Sequence, residues 1–206
     1  HGEYRRQRQM CIRDRYCNVL QGKIYSHEHQ DSREENTRLF HQMAQKAVDT
    51  DPENPDAMSS LSMSYSIKKD LNKRLETAEK ALELNPSHPR SNFSYGQALT
   101  NFGRNEEALS YVKKAIELDP QSKRNYEGFF PLLYIALKDW ENAITWLNTA
   151  HERSPHSRFF GWKAAVYGKM NDLDSAKENL NSFLKERPEI KTLEAVSYTH
   201  LRAHET

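Results

Sequence analysis

Pro89–Pro120, PRSNFSYGQALTNFGRNEEALSYVKKAIELDP, divides at Asn101–Phe102–Gly103–Arg104–Asn105 into two halves of helix length, and that division decides the fold. Gly96 marks where the two helices approach closely, since any larger side chain would hold them apart. Leu99 fills the groove beside it, and Ala108 is the small residue of the second helix that faces this contact. Val112 and Ala115 continue the apolar stripe at the helical spacing of three to four residues. Gly103 suits a positive-φ helix terminus. Pro120 stops the second helix, because it has no backbone N–H to donate.

The pattern recurs on both sides. DTDPENPDA (49–57), ELNPSHPRS (83–91), ELDPQSKRN (117–125) and ERSPHSRFF (152–160) place Pro52, Pro86, Pro120 and Pro155 about 34 residues apart, with Pro188 next. The unit 55–86 keeps Leu61, Tyr65, Ala78, Ala81 and Pro86, with Ser62 at the close-contact place. The unit 124–155 keeps Tyr134, Ala143, Leu147, Ala150 and Pro155. The unit 157–188 keeps Ala164, Tyr167, Ala176, Leu180 and Pro188. Ahead of them lies a partial unit, 21–52, whose second helix is read from Asn36 to Pro52 with Ala44 and Ala47 on its stripe. Two departures stand out: Pro131 falls inside the first helix of its unit, where it predicts a kink, and Phe183 replaces the expected alanine.

This period and this small-residue pattern resemble the tetratricopeptide repeat. The resemblance implies an all-α, right-handed superhelical solenoid of antiparallel helix pairs. It also implies a concave groove, lined by first helices, that receives a protein or peptide ligand. The groove-facing places correspond to Arg90, Phe93, Gln97 and Asn101, then Asn125 and Leu132, then Arg158. Amides there suit a peptide backbone, Phe93 an apolar anchor, and the two arginines acidic groups. Ser59 and Met63 stand where the carboxylate clamp of chaperone-binding members would begin, which argues against a chaperone-tail receptor.

Both ends of the chain read as foreign. Met10-Cys11-Ile12-Arg13-Asp14 can be encoded by ATG TGT ATA AGA GAC, whose reverse complement encodes Val196-Ser197-Tyr198-Thr199-His200. One DNA word read from opposite strands thus writes both ends, and it resembles a transposase sequencing-library adapter. Residues 1–15 and 196–206 are accordingly set apart from an array over 16–195. Leaving out their charged side chains takes Lys+Arg from 30 to 24 and Asp+Glu from 29 to 26, so the net charge moves from +1 to −2. That balance, without a basic stripe, opposes nucleic-acid binding by a related helical repeat.

No catalytic apparatus is legible. His27-Glu28-His29 are too closely spaced to share a helix face, and Cys17 is the single cysteine left, so no metal or cofactor site is expected. His41, His88, His151 and His156 read as solvated or capping residues near helix ends, and Trp140, Trp146 and Trp162 as packing between hairpins. Glycine-rich phosphate loops and nucleophile elbows are missing. No apolar run reaches the ~20 residues of a membrane span, and a cytoplasmic scaffold is expected. Gln21 to Asn36, with Phe183 to Ile190, further resembles the repeat region attached to bacterial class III adenylate or guanylate cyclases and some winged-helix regulators. The resemblance implies a regulatory arm; an RNA-binding repeat and an accessory array of a peptidase or glycosyltransferase are the alternatives.

Overall fold

A computed structural model describes residues 33–188. The foreign-end segments, Cys11, Cys17 and the His27–His29 run lie outside the described residues. Those described form α-helices, short 3-10 turns and loops, with no strand among them. The helices are α1 (Arg33–Thr50), α2 (Pro55–Ile67), α3 (Leu71–Leu84), α4 (Pro89–Leu99), α5 (Asn105–Leu118), α6 (Lys123–Glu127), α7 (Phe130–Ala136), α8 (Trp140–Arg153), α9 (Ser157–Lys169) and α10 (Leu173–Glu186). They fall into two compact units that divide between Lys123 and Arg124. In the first, α2 pairs with α3 and α4 with α5; in the second, α7 pairs with α8 and α9 with α10.

One turn chemistry builds all four pairs. Each first helix ends with a residue in the left-handed region: Lys69 (φ 60°), Gly103 (φ 70°), Lys138 (φ 58°) and Asn171 (φ 62°). The following amide reaches back five residues, from Asp70 to Tyr65 O, Arg104 to Leu99 O, Asp139 to Tyr134 O and Asp172 to Tyr167 O, at 2.9–3.2 Å. The left-handed residue's own amide bonds the carbonyl three back, which completes a Schellman ending. The tyrosine or leucine of the repeat pattern therefore supplies the carbonyl that closes its own helix. Asp70, Asp139 and Asp172 then cap the second helix by accepting from Lys73, Asn142 and Ser175 N–H. Arg104 has no such capping bond and instead grips Glu107 bidentately at 2.7 Å.

Lysine in the left-handed region carries a steric cost of about 1–2 kcal/mol. Lys69→Gly and Lys138→Gly are each expected to stabilise their hairpin by up to about 1 kcal/mol, after allowing for glycine's greater freedom in the unfolded chain. Native-state hydrogen exchange of α2–α3 and α7–α8 measures this; a loss of protection in either would contradict the turn assignment.

Hairpin packing follows the small residues. An added Cβ at Gly96 would stand 3.0 Å from both Ala108 O and Val112 Cγ2. Leu99, Ala108, Val112 and Ala115 are fully buried there, as are Ala78 and Ala81 in the pair before. Burial of Leu99 alone is worth about 1.5–3 kcal/mol. In α2–α3 the close contact is polar: Ser62 Oγ donates to Arg74 O at 2.8 Å across the hairpin. Helix α1 packs Ala44, Ala47 and Val48 on Ala57 and Leu61, with Met58 and Tyr65 alongside. Ala143 and Leu147 are fully buried, whereas Ala150, Ala164, Tyr167 and Ala176 are half-buried, as are Tyr65 and Tyr134. Pro86, Pro120 and Pro155 are exposed between helices, and Pro188 is exposed after the last described helix.

Two sequence expectations, on Pro131 and His41, need correction, and the departure at Phe183 finds its physical reason. Pro131 does not kink a continuous helix: the helix is already divided at Gly128–Phe129, and Pro131 sits in the first turn of α7, where its missing N–H has no intrahelical role. Phe183 is no misfit, because its ring is fully buried against Gly161. His41 lies within α1, where its ring meets Tyr65 edge-on at 5.2 Å and its Nδ1 stands 2.8 Å from Ser64 Oγ.

Burial, aided by Lys68 and Lys73, pushes the His41 pKa down. The unfolded histidine titrates near 6.5, so as pH falls the unfolded chain takes up the proton first. The stability tied to neutral His41 is complete above that value and is lost as pH drops toward the lowered folded pKa. Denaturation of the first unit is expected at lower denaturant at pH 5 than at pH 7.5, by less than about 1 kcal/mol because the ring keeps solvent contact. His41→Gln should narrow the difference, and an unchanged pH dependence in that variant would refute the assignment.

Candidate functional site

The first-helix face of the first unit is built by α2 and α4. Arg90, Phe93 and Gln97 follow one another at helical spacing along α4, and Asn101 stands on the 3-10 turn Thr100–Phe102 that extends it. All four are partly exposed. Asn125, Leu132 and Arg158 belong to the second unit, on α6, α7 and α9, and all three are exposed. Arg158 lays its guanidinium 5.0 Å over the Phe159 ring.

Arg90 and Asn101 on the first unit's face have polar partners that sequence reasoning missed. The Arg90 guanidinium lies 3.6 Å from Asp56 Oδ1 and donates to Ser60 Oγ at 3.0 Å, so it ties α4 to α2. Asp56 Oδ2 also lies 3.5 Å from His88 Nε2. His88 is the cap of α4, its Nδ1 accepting from Ser91 N–H at 3.3 Å; this orientation leaves Nε2 to face Asp56 when the ring is neutral. The His88 hydrogen bond, seconded by Arg90, holds the Asp56 carboxyl below its usual pKa. Asp56 stands 34 residues before Arg90, in the same repeat place, and that coincidence was the available signal. Asn101 Oδ1 accepts from Arg74 Nη1 at 2.6 Å. Arg74 is nearly buried, at the repeat place that Ala108 fills in the next pair, so its size there was the clue.

Between these two positions lie Phe93 and Gln97. The Gln97 side-chain oxygen is shielded from solvent and makes no hydrogen bond among the described residues. A buried amide oxygen in that condition costs about 1–3 kcal/mol until a donor arrives. Beneath this face Ser91 and Asn92 are fully buried; Asn92 Nδ2 donates to the Pro86 and His88 carbonyls, while its Oδ1, like the Gln97 oxygen, finds no partner among the described residues. A shallow hollow lined by Pro52, Met58, Lys80, Glu83 and Leu84 includes none of the seven predicted residues. Among the described residues no group of three or more His, Cys, Asp or Glu is placed to hold a metal, and no helix is long and apolar enough to cross a membrane.

Sequence profiles described as tetratricopeptide repeat match residues 55–88 and 75–123. Residues 55–123 are tetratricopeptide repeats. No curated protein matches the chain by sequence. Solved structures show that the fold extends further. PilW, titled a widely conserved type IV pilus biogenesis factor, superposes with a TM-score of 0.66 at 19% identity, covering 91% of this chain and 85% of that one. YrrB, titled a TPR protein with an unusual peptide-binding site, gives 0.58 at 17% identity over 89% and 88%. TTC0263, a thermophilic TPR protein of Thermus thermophilus, gives 0.58 at 20% identity over 82% and 90%. The described residues are thus all-α hairpins of the tetratricopeptide fold, and the repeats support a scaffold for protein–protein interaction.

Proposed function

We propose that the first unit holds an extended segment of a partner protein along the α2–α4 face, with Phe93 as apolar anchor and Gln97 as backbone acceptor. The carrying observation is the shielded, unengaged Gln97 oxygen one turn beyond the half-buried Phe93 ring. Turning the partly exposed Gln97 side chain outward would present that oxygen to a peptide N–H, and main-chain hydrogen bonds with alternate side-chain pockets are the usual means of holding an extended segment. Arg90 contributes its remaining N–H donors from a position already fixed by Asp56 and Ser60, so little side-chain entropy is lost on binding. The YrrB title supports the reading by likeness of fold.

The test is selection from a displayed random-peptide library, followed by affinity measurements on Phe93→Ala and Gln97→Ala. Each is expected to weaken selected peptides by about tenfold or more, with the melting curve unchanged. Peptides that bind both variants as tightly as the parent would place the ligand elsewhere. In the longer protein this array would act as the cytoplasmic regulatory arm of a nucleotide cyclase or winged-helix regulator. The support is the resemblance carried by Gln21–Asn36 and Phe183–Ile190, and reading the gene upstream of Tyr16 tests it.

A further inference from the structure

A lysine ordinarily keeps its ammonium in water, and among the described residues every lysine but one is exposed. The exception is Lys163, half-buried on α9. Its Nζ stands 5.2 Å over the ring of Phe160, three residues earlier on the same helix, and donates to Asn148 Oδ1 on α8 at 3.2 Å. The His151 ring of α8 meets Phe160 edge-on at 4.5 Å and so backs the ring over which the amine lies. Asn148 is exposed, and its bond to Lys163 lies at the surface, within reach of a small molecule in solution.

Neither partner of this amine carries a full negative charge. Lys80 has Glu76 at 2.8 Å and Lys73 has Asp70 at 3.3 Å, whereas no carboxylate pairs with Lys163 among the described residues. A ring face and an amide oxygen attract a cation only through a quadrupole and a dipole, which replace part of the water that burial removes. Burial accordingly pushes the Lys163 pKa down, opposed by the charge of Glu152 on α8. His151, on the far side of Phe160, is likewise pushed toward its neutral form by burial and by Lys163. A desolvated amine with no counter-charge has its lone pair available more of the time than an amine in open solvent, and this is how lysines become nucleophiles.

We infer that Lys163 is a site of acylation, taking the acyl group from a small thioester in preference to the exposed lysines. The neutral Nζ attacks the thioester carbonyl carbon; the N–C bond forms, the C–S bond breaks and sulfur leaves as thiolate. The nitrogen gives up one proton to solvent, and the product is an uncharged amide. That amide keeps one N–H for Asn148 but no longer presents a cation to the Phe160 face, so the surface between α8 and α9 loses a positive charge while its hydrogen bond survives. Access alone would rank the lysines the other way, exposed before half-buried, so a preference for Lys163 reports the activation of its amine.

Competitive acetylation of the full chain tests this. The protein is treated near neutral pH with limiting S-acetyl-N-acetylcysteamine, a small acetyl thioester, and acetylation at each lysine is read by mass spectrometry, in buffer and in urea. In the folded chain Lys163 is expected to react about threefold or more faster than the exposed Lys138, Lys169 and Lys177 of the same unit, and at their rate in urea. Asn148→Asp, which sets a carboxylate beside the amine at an exposed position, should remove the preference by holding the ammonium form. Reaction at Lys163 no faster than at the exposed lysines overturns the proposal. A preference that persists in urea also overturns it, because the fold would not be its source, as does one that survives Asn148→Asp.

Discussion

Phe183→Ala is expected to destabilise the α9–α10 hairpin by roughly 3–5 kcal/mol, the range for removing a fully buried phenylalanine. The ring is wholly inaccessible, and across the hairpin it packs on Gly161, a residue without a side chain. A Cβ built on Gly161 would lie 3.4 Å from the ring, an ordinary van der Waals contact, so the ring fills the space that glycine leaves. Truncation at 183 would put two small residues face to face across the gap. Since a whole domain is stable by only about 5–15 kcal/mol, the loss should open this hairpin before the rest. Native-state hydrogen exchange should show α9 and α10 unprotected while α2 to α5 are unaffected. Gly161→Ala, by contrast, should be neutral or slightly stabilising, because helix propensity favours alanine by about 1 kcal/mol. A loss below about 1 kcal/mol in Phe183→Ala, well under the usual range, would show that the ring is not the hairpin's wedge.

This large-for-small exchange explains why part of the fold was legible and part was not. Gly96, Ala108, Pro86 and Pro120 could be read directly, because each marks a local demand: a close approach, a helix end, a turn. Phe183 looked like erosion because its compensation, Gly161, sits 22 residues away and at a different repeat place from the expected glycine. Pro131 misled for a similar reason. A proline is a breaker only if the helix runs through it, and the division at Gly128–Phe129 turned it into a first-turn residue. Lys69 and Lys138 carry no sequence mark of a left-handed conformation, which only their register with Gly103 discloses, whereas Asn171 is of a residue type that adopts it readily.

The candidate site was legible as a face but not as chemistry. Repeat position brought Arg90, Phe93, Gln97 and Asn101 onto one side of α4 and its extension. Which of them have hydrogen-bonding capacity left depends on neighbours about 30 residues away, Asp56 and Ser60 for Arg90 and Arg74 for Asn101. These pairings join consecutive repeats, so no single repeat read alone contains both partners. Comparing like places in successive repeats, Asp56 with Arg90 and Arg74 with Ala108, is the operation that exposes them.

The same Gly→Ala substitution should have opposite signs at Gly96 and Gly168. In α4 the new methyl carbon would stand 3.0 Å from Ala108 O, 3.0 Å from Val112 Cγ2 and 3.3 Å from Tyr111 Cβ. None of these neighbours yields easily: one is helix backbone, and Val112 is β-branched, fully buried and confined to one rotamer in a helix. Overpacking costs about 1–3 kcal/mol, against a helix-propensity gain of about 1 kcal/mol. Gly96→Ala should therefore lower the stability of the α4–α5 hairpin by about 1 kcal/mol, and Gly96→Leu, which has nowhere to place its branch, by about 3 kcal/mol or more. At Gly168, near the end of α9, an added Cβ meets nothing within 4 Å. Only the reduced freedom of the unfolded chain counts there, and Gly168→Ala should stabilise by about 0.4–1 kcal/mol. Exchange protection of residues 89–118 in one variant and 157–186 in the other reports each effect in its own hairpin. If Gly96→Ala stabilised as Gly168→Ala is expected to, the two helices of the best-formed repeat would not be in the close contact on which the reading of the fold began.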